Sequence, residues 1–287
     1  MATKGTDQMM TIGAKFAVIG DPVEHSISPE IHQMFAKQHG NQIKYEKIRV
    51  KKVSFVGFVQ DFFSNQGLGL NVTLPLKTDA FEIANTLDGD SRACGAANTL
   101  KSVNGDLRGY NTDGAGFLTD LEEWHGVTAK DKRILLLGSG GAAKGIIRPL
   151  LNRGPKTLTI ANRTPASALA LVDQLRLESK ENLDGIGLDD TQLSDKRFDI
   201  IVNATSTGHK NSEMPIDENL LEGAICYDLS YGSAARFSRW AESRGASKSI
   251  DGLGMLIEQA AKSYEIWTGF SPDTESVRSK IGEKMKA

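Results

Sequence analysis

Apolar and polar residues alternate along this chain in two patterns, one typical of buried strands and the other of helices. Residues 133–137, Arg-Ile-Leu-Leu-Leu, are nearly all apolar, as in a strand that is covered on both faces of a parallel sheet. The turn Gly-Ser-Gly-Gly-Ala-Ala follows this run, and a helical pattern begins at about Ala142. A second apolar run occupies residues 157–161. The order of strand, glycine turn, helix and strand predicts a β-α-β unit.

Three further pairs of strand and helix are predicted before this unit. The strands are predicted at residues 16–20, 45–50 and 67–73, and the helices from Ser28, at 53–63 and near 78–87. Ser28 precedes Pro29, a pair typical of a helix N-terminus, with the serine as the capping residue and the proline in the first helical position. Asn104 and Gly105 separate two extended runs and both tolerate positive φ, so they predict a β-hairpin.

The second half of the chain continues the alternation. A linking helix is predicted at 116–125, strands at 198–203, 226–230 and 247–250, and helices at 256–267 and 274–285. The acidic segment 184–195 is interpreted as a solvated connection without a role in a site. This pattern predicts an α/β protein of two domains. An N-terminal α/β substrate domain is assigned to residues 1–113 with 250–287, and a Rossmann-type domain with a doubly wound parallel sheet to 114–249, with a cleft between them as the expected ligand site.

Charge and hydropathy give no indication of a nucleic-acid-binding, secreted or membrane-spanning protein. The chain has 287 residues and a net charge of 34 − 36 = −2, which gives no reason to expect a nucleic acid or a membrane surface as partner. Residues 1–14 are polar, so the first dozen predict a loose tail and not a signal peptide. No apolar run approaches the roughly 18 residues that cross a bilayer.

Cysteine and histidine predict neither a disulfide framework nor a metal site. Cys94 and Cys226 match no known ligand spacing, which favours a reducing, cytoplasmic location. His32 and His39 are seven residues apart, about 10 Å along a helix, which is too far to share one ion. The remaining histidines stand alone in the sequence: His25, His125 and His209. We therefore expect a small-molecule enzyme without a metal.

The glycine turn is the first candidate binding site. Gly138, Gly140 and Ala143 fit the G-x-G-x-x-G/A pattern, in which small residues allow a tight turn, room for a pyrophosphate and close packing of helix on strand. The N-terminus of the following helix would present free N–H groups to that phosphate. A purely structural turn is the alternative. The candidate cofactor-binding residues of this segment are Gly138, Ser139, Gly140, Gly141 and Ala142.

The end of the second strand of this unit indicates which dinucleotide binds. NAD-binding units usually have Asp or Glu there, whereas this chain has Asn162, Arg163 and Thr164. A guanidinium pairs with a 2′-phosphate that a carboxylate would repel. The segment therefore favours NADP(H), with a solvated surface arginine as the alternative interpretation.

Unusual polar clusters lie at strand ends of the first domain: Ser26 with Ser28, the segment 71–77, and Asn98 with Asp113. Because such loops converge on one edge of a sheet, these residues are expected to share a site.

These clusters and the glycine turn, in this order, resemble the signatures of the shikimate dehydrogenase family. The segments that carry the resemblance are 20–29, 71–77, 95–99, 111–114, 162–164, 203–206 and 251–259. The resemblance implies the reversible, NADPH-dependent reduction of 3-dehydroshikimate to shikimate. It implies that Lys77 handles the proton and that Asp113 orients it.

The resemblance also implies the remaining roles. The substrate carboxylate is assigned to the hydroxyl groups of Ser26, Ser28 and Tyr231, although Ser28 also fits a helix cap. The ring hydroxyls are assigned to Thr73, Asn98 and Gln259. Further cofactor contacts are assigned to Thr205, Leu229 and Gly252.

Departures from the family pattern keep two other functions open. No basic residue follows Asn162-Arg163-Thr164 closely, since residues 165–167 are Pro-Ala-Ser, so the preference for NADP is expected to be reduced. A quinate/shikimate dehydrogenase with relaxed use of NAD and NADP is one alternative, and a catalytically retired, nucleotide-sensing paralogue is the other. A monomer or a homodimer fits either function.

Overall fold

The computed structural model describes residues 13–176, 182–205, 214 and 216–286. The predicted tail at residues 1–12 lies outside these ranges, as do Ser206 and His209. The chain forms two compact units: one runs to Gly116 and resumes at Ile257, and the other comprises Phe117–Leu256. None of the helices in the described ranges combines the length and the apolar character that crossing a bilayer requires.

The first unit is built on a mixed six-stranded sheet. Its strands are β1 (Ala14–Gly20), β2 (Ile43–Arg49), β3 (Gly67–Val72), β4 (Thr86–Leu87), β5 (Thr99–Val103) and β6 (Asp106–Tyr110), in the spatial order β2-β1-β3-β5-β6-β4. Strand β1 is parallel to β2 and β3, whereas β5 is antiparallel to β3 and β6. The C-terminal ends of β1, β3 and β6 and the start of β5 therefore lie at one edge of the sheet. This edge is called edge 1 below.

The α-helices between Ser28 and Leu118 are α1 (Ser28–Gln38), α2 (Phe55–Ser64), α3 (Lys77–Ile83), α4 (Gly89–Cys94) and α5 (Asp113–Leu118). The boundary between the units falls within α5, and a π-helical stretch, Thr119–Trp124, follows this helix. The hairpin prediction is confirmed, because β5 and β6 pair across Asn104 and Gly105, whose φ angles are 53° and 83°. The helix predicted near 78–87 ends at Ile83, since Thr86–Leu87 pairs with β6 as a strand.

The expected helix cap at Ser28 is wrong. Helix α1 begins one residue earlier than predicted, with Ile27 in the N-cap position, so Ser28 is itself the first helical residue and Pro29 the second. The Ser28 N–H donates to the Ser26 hydroxyl oxygen at 3.2 Å. Ser26 thus supplies the side-chain acceptor at this helix start, and the Ser28 hydroxyl is left for other contacts.

The second unit is a doubly wound sheet of six parallel strands, as predicted. They are β7 (Arg133–Leu137), β8 (Thr157–Asn162), β9 (Leu183–Gly187), β10 (Ile200–Asn203), β11 (Ile225–Asp228) and β12 (Lys248–Ile250), in the order β12-β11-β10-β7-β8-β9. Its helices are α6 (Gly141–Leu151), α7 (Pro165–Arg176), α8 (Thr191–Ser194) and α9 (Arg236–Ser243). The strand order reverses beside β7, and such a switch point is where this fold binds ligands. The C-terminal ends of these strands are called edge 2 below.

The acidic segment 184–195 is not the solvated connection that was expected. Its first residues belong to β9, which pairs with β8 at the border of the sheet. A Cβ at Gly185 would lie 3.1 Å from the Ala168 backbone, so glycine allows α7 to approach this strand closely. The acidic Asp190 caps α8 by accepting from the Gln192 N–H. The prediction from polar composition therefore missed a border strand and a short helix in this segment.

Two C-terminal helices, α10 (Leu253–Thr268) and α11 (Glu275–Lys286), end the chain. Trp267 of α10 lies on the first sheet, because a Cβ at Gly69 would be 2.3 Å from its indole ring. The indole N–H donates to the Leu100 carbonyl oxygen at 3.0 Å, and the Lys101 ammonium donates to the Ile266 carbonyl oxygen at 2.6 Å. These contacts hold the C-terminal end of α10 against β3 and β5.

Candidate active site

An ion pair between Lys77 and Asp113 stands at edge 1. Lys77 begins α3 after β3, and Asp113 begins α5 after β6, so the sheet brings together residues 36 positions apart. The Lys77 Nζ lies 2.5 Å from the Asp113 Oδ2, and the two side chains are only 15% and 8% exposed. The Lys77 carbonyl oxygen accepts from the Ala97 N–H at 2.9 Å, which anchors the start of α3 beside β5.

Asn98, directly before β5, is the second partner of this carboxylate. Its Nδ2 donates to the Asp113 Oδ1 at 2.9 Å, to the Thr112 Oγ1 at 2.8 Å and to the Gln259 Oε1 at 3.3 Å. Both oxygens of Asp113 therefore accept hydrogen bonds, as an ionised carboxylate does. Four of the predicted residues, Lys77, Asn98, Asp113 and Gln259, form one bonded cluster.

Two buried asparagines that were not among the predicted site residues support this cluster. The Asn111 Oδ1 accepts from the Asp113 N–H at 3.0 Å, and its Nδ2 donates to the Ala96 carbonyl oxygen at 3.0 Å. The Asn71 Nδ2 donates to the Asn98 carbonyl oxygen at 3.3 Å and to the Ser263 Oγ at 3.0 Å. Asn71 lies in the segment 71–77 and Asn111 in the segment 111–114, two of the segments that carry the family resemblance, so this position in the sequence was the signal that could have identified them.

The predicted serines and Thr73 lie at the same edge. The Ser26 hydroxyl donates to the Ser28 Oγ at 3.0 Å, and the Tyr45 phenol donates to the Asn71 Oδ1 at 2.7 Å. Burial raises the pKa of Tyr45, and a hydrogen bond with the Ser28 side chain opposes that shift. Ser28 is thus linked through Tyr45 and Asn71 to the support of the cluster.

Thr73 follows β3 directly, and its N–H donates to the Ile19 carbonyl oxygen at 2.8 Å. A Cβ at Gly20 would lie 2.4 Å from the Thr73 methyl group and 3.0 Å from the Leu74 carbonyl oxygen. Glycine at position 20 therefore allows the loops after β1 and β3 to meet.

The glycine turn of the second unit lies at edge 2, between β7 and α6. Gly138 has a φ of 103°, and a Cβ there would lie 3.1 Å from the Ala204 carbonyl oxygen. Among the described residues, no atom lies within 4 Å of a Cβ added at Gly140 or Gly141. Ser139 and Ala142 are half-buried, whereas Ala143 is fully buried against the sheet. This turn fits a bound pyrophosphate at the N-terminus of α6.

Arg163 is exposed after β8 and makes no ion pair with any residue in the described ranges. The neighbouring Asn162 donates from Nδ2 to the Thr164 carbonyl oxygen at 3.2 Å, which closes the turn. Residues 162–164 include no carboxylate, so this strand end fits the 2′-phosphate of NADP better than the free ribose of NAD.

Three further predicted cofactor residues follow β10, β11 and β12. The Thr205 hydroxyl donates to the Asn203 Oδ1 at 2.6 Å, and the Leu229 N–H donates to the Asn203 carbonyl oxygen at 2.9 Å. A Cβ at Gly252 would lie 2.3 Å from the Leu229 carbonyl oxygen. Tyr231, predicted to bind the substrate carboxylate, is half-buried in the loop after β11 and belongs to the second unit.

No group of three or more His, Cys, Asp or Glu side chains suited to a metal ion occurs in the part of the chain that the structure describes.

Family models match three segments of the chain. Residues 18–100 match the shikimate dehydrogenase substrate binding domain, 121–218 match shikimate / quinate 5-dehydrogenase, and 252–281 match the shikimate 5′-dehydrogenase C-terminal domain. Lys77 and Asn98 lie in the first of these segments, the glycine turn lies in the second, and Gln259 lies in the third.

Individual proteins match over nearly the whole chain. Shikimate dehydrogenase (NADP(+)) of Methylobacillus flagellatus is 43% identical over 93% of this chain and 98% of its own length. Its counterpart in Alcanivorax borkumensis is 44% identical over 93% and 95%. A crystal structure of a shikimate dehydrogenase in complex with NADP+ is 32% identical, with a TM-score of 0.86 over 97% of this chain and 99% of that one. The sequence signatures, the two sheets and these relatives agree: the chain belongs to the shikimate dehydrogenase family.

Proposed function

We propose that this protein catalyses the reversible, NADP-dependent oxidation of shikimate to 3-dehydroshikimate. The observation that carries the proposal is the 2.5 Å contact between the Lys77 Nζ and the Asp113 Oδ2, at a sheet edge lined with neutral hydrogen-bonding groups. Family membership supports the ring acid as substrate, and the relatives named above support NADP.

The reaction needs a proton at the ring oxygen and a hydride at the ring carbon. The bound nicotinamide supplies or accepts the hydride. In the reductive direction Lys77 donates a proton from Nζ to the ketone oxygen, and in the oxidative direction it takes that proton back from the hydroxyl. The Asp113 carboxylate holds Nζ in place and is itself held by Asn98.

The neutral groups of edge 1 suit a polyhydroxylated ring. Asn98 and Gln259 offer amide groups and Thr73 a hydroxyl, and we assign them to the ring hydroxyls. Ser26 and Ser28 are assigned to the carboxylate, to which both hydroxyls would donate, so the Ser26 hydroxyl would no longer donate to the Ser28 Oγ. A site that pairs hydroxyls in this way rejects analogues without them, because its polar groups would be left unpaired. The assignment of Tyr231 to the carboxylate stays a prediction.

We assign the dinucleotide to edge 2. The glycine turn, with Gly138, Ser139, Gly140, Gly141 and Ala142, would hold the pyrophosphate. Arg163 would pair with the 2′-phosphate, with Asn162 and Thr164 as neutral neighbours. Thr205, Leu229 and Gly252 would line the remaining surface of the cofactor.

Arg163→Ala is expected to raise KM for NADP+ by about 10- to 100-fold, because a charge-assisted hydrogen bond to phosphate is lost. The KM for NAD+ should change little, since NAD+ has no 2′-phosphate. Steady-state kinetics with both cofactors measure this. Arg197→Ala is the matched control, since this exposed arginine precedes β10 at the opposite edge of the sheet. Equal changes for the two cofactors would contradict the role of Arg163.

A matrix of two substrates and two cofactors tests the proposed function. Shikimate or quinate is mixed with NADP+ or NAD+, and reduced nicotinamide is followed by its absorbance. We expect shikimate with NADP+ to give the highest kcat/KM. Equal use of quinate and NAD+ would favour a quinate/shikimate dehydrogenase, for which the absence of a second basic residue after Arg163 is the specific argument. Binding without turnover in all four mixtures would identify a retired paralogue.

We further propose that the protein acts on small molecules in the cytoplasm as a monomer or a homodimer. The net charge of −2 and the two unpaired cysteines support this proposal. Analytical ultracentrifugation over a range of concentrations distinguishes the two oligomeric states.

A further inference from the structure

Two polar side chains at edge 2 are completely buried, and neither was a predicted site residue. Asn203 ends β10 and Asp228 ends the neighbouring strand β11, and both are 0% exposed. The Asn203 Nδ2 donates to the Asp228 Oδ1 at 3.1 Å. Burying a carboxylate is costly unless its oxygens are hydrogen-bonded, so the partners of this pair indicate its purpose.

Asp228 holds one loop at both of its ends. Its Oδ1 also accepts from the Ser230 N–H at 3.0 Å, directly after β11. Its Oδ2 accepts from the N–H groups of Phe237 at 3.1 Å and Ser238 at 3.3 Å, in the first turn of α9. The loop 229–235 therefore leaves Asp228 and returns to it. This loop carries Leu229 and Tyr231.

Asn203 holds the next loop. Its Oδ1 accepts from both the N–H and the hydroxyl of Thr205, at 3.1 and 2.6 Å, while its carbonyl oxygen accepts from the Leu229 N–H at 2.9 Å. The amide orientation is determined by these partners: the oxygen faces Thr205, and the nitrogen faces Asp228. One side chain thus couples the loop after β10 to the loop after β11.

The charge of Asp228 is matched to this arrangement. Burial raises its pKa, and the hydrogen bonds from Ser230, Ser238, Asn203 and Phe237 oppose that shift. All four partners are donors, so the ionised, acceptor-only form fits them best.

We propose that Asn203 and Asp228 are a pair of positioning residues that set Thr205 and the loop 229–235 in place for the dinucleotide. Neither residue is assigned a contact with a ligand, and both act through the backbone they hold. The inference rests on the proposed function for its cofactor, since it concerns how the assigned NADP surface is built.

The isosteric change D228N tests the pair. An asparagine at 228 has one acceptor oxygen, so its NH2 group must face donors at one end of the loop. We expect the Kd for NADP+, measured by titration calorimetry without ring acid, to rise about tenfold because that end is released. The KM for NADP+ should rise in parallel, and kcat should fall.

The exchanged pair N203D/D228N gives the sharper result. The carboxylate introduced at position 203 would accept from Thr205 with one oxygen and from the NH2 group introduced at position 228 with the other. The amide oxygen at position 228 would still accept from Phe237 and Ser238, and only the Ser230 N–H would lose its acceptor. We therefore expect the double variant to recover most of the affinity that either single change removes. If the two residues acted independently, the losses in affinity for NADP+ of the two single variants would add in the double variant.

Asp199→Asn is the matched control. Asp199 precedes β10 at the opposite edge of the same sheet, where it pairs with Arg133 at 2.9 Å. This pair holds the pKa of Asp199 down to about 2, so the change should lower thermal stability without altering the Kd for NADP+.

Wild-type affinity in D228N, or additive losses in the double variant, would overturn the proposal. If D228N does not fold, the comparison of N203D with the double variant decides in the same way. A wild-type protein that binds NADP+ but does not oxidise shikimate would refute the proposed function while the binding experiment still tests the pair. Absence of NADP+ binding by the wild type would refute both.

Discussion

Replacing Lys77 with methionine is expected to lower kcat for shikimate oxidation by about 10²- to 10⁴-fold, the usual contribution of a positioned acid–base group. Methionine is unbranched and of similar length, so it fills the same space without an ammonium group. The ring hydroxyl then has no group to take its proton, while the neutral groups assigned to the ring remain. We therefore expect the Kd for shikimate, measured in the presence of NADP+, to change only a few-fold.

Lys52→Met is the control for this experiment. Lys52 forms an ion pair at 3.0 Å with Asp79, which lies in α3, the helix that begins with Lys77. The Lys52 side chain is exposed and is not part of the bonded cluster. This variant should retain the wild-type kcat, because the Lys52 side chain is 73% exposed and makes no contact with the bonded cluster. A K77M protein with kcat within a few-fold of wild type would show that another group moves the proton. Unfolding curves of both variants separate lost chemistry from lost stability.

The second large effect is expected from Gly252→Ala. The added Cβ would lie 2.3 Å from the Leu229 carbonyl oxygen and 2.6 Å from the Leu229 carbonyl carbon, both backbone atoms. Backbone cannot rotate away as a side chain does, so the loop after β11 must move. The Gly252 N–H also donates to the Ser230 carbonyl oxygen at 2.8 Å, and this bond would be strained by the same movement.

We expect Gly252→Ala to lower kcat/KM for NADP+ by about 10- to 100-fold, because overpacking costs roughly 1–3 kcal/mol at the surface assigned to the cofactor. Steady-state kinetics at saturating shikimate measure it. Gly57→Ala is the control: Gly57 lies in helix α2, and no atom of the residues that the structure describes is within 4 Å of the new Cβ. Alanine there should leave kinetics unchanged and raise stability. Wild-type kinetics in Gly252→Ala would mean that the Leu229 loop does not touch the cofactor.

The second unit was predictable from sequence because parallel strands covered on both faces are almost continuously apolar. Residues 134–137 of β7 are all fully buried, and their uninterrupted apolar sequence predicted a strand covered on both faces. Strand β9 was not predicted, because it lacks this continuous apolar pattern. It lies at the border of the sheet with half-exposed Asp184 and Gly185, so local composition resembled a loop.

The buried polar side chains that hold the site residues in place were less predictable from sequence than the site residues themselves. Asn71 bonds Ser263, which is 192 positions away, and Asn203 bonds Asp228 across two strands. A sequence pattern shows that such a side chain is polar, but only the folded sheet shows which donor faces it. The roles of Lys77 and Asp113 came from the family resemblance. The meeting of strand ends predicts that they are neighbours, and the 2.5 Å contact follows only from the structure.

The reversal of direction between β5 and β6 makes the first unit suitable for attaching a probe. Because each strand is five residues long, the turn at Asn104 and Gly105 is roughly 17 Å from the reacting groups. Within the described part of the chain, no atom lies within 4 Å of a Cβ added at Gly105. A short tag or a fluorophore inserted at this turn would therefore not reach the reacting groups. New chain termini placed at the turn would leave β5 and β6 paired, so Asn98 and Asp113 would remain next to each other.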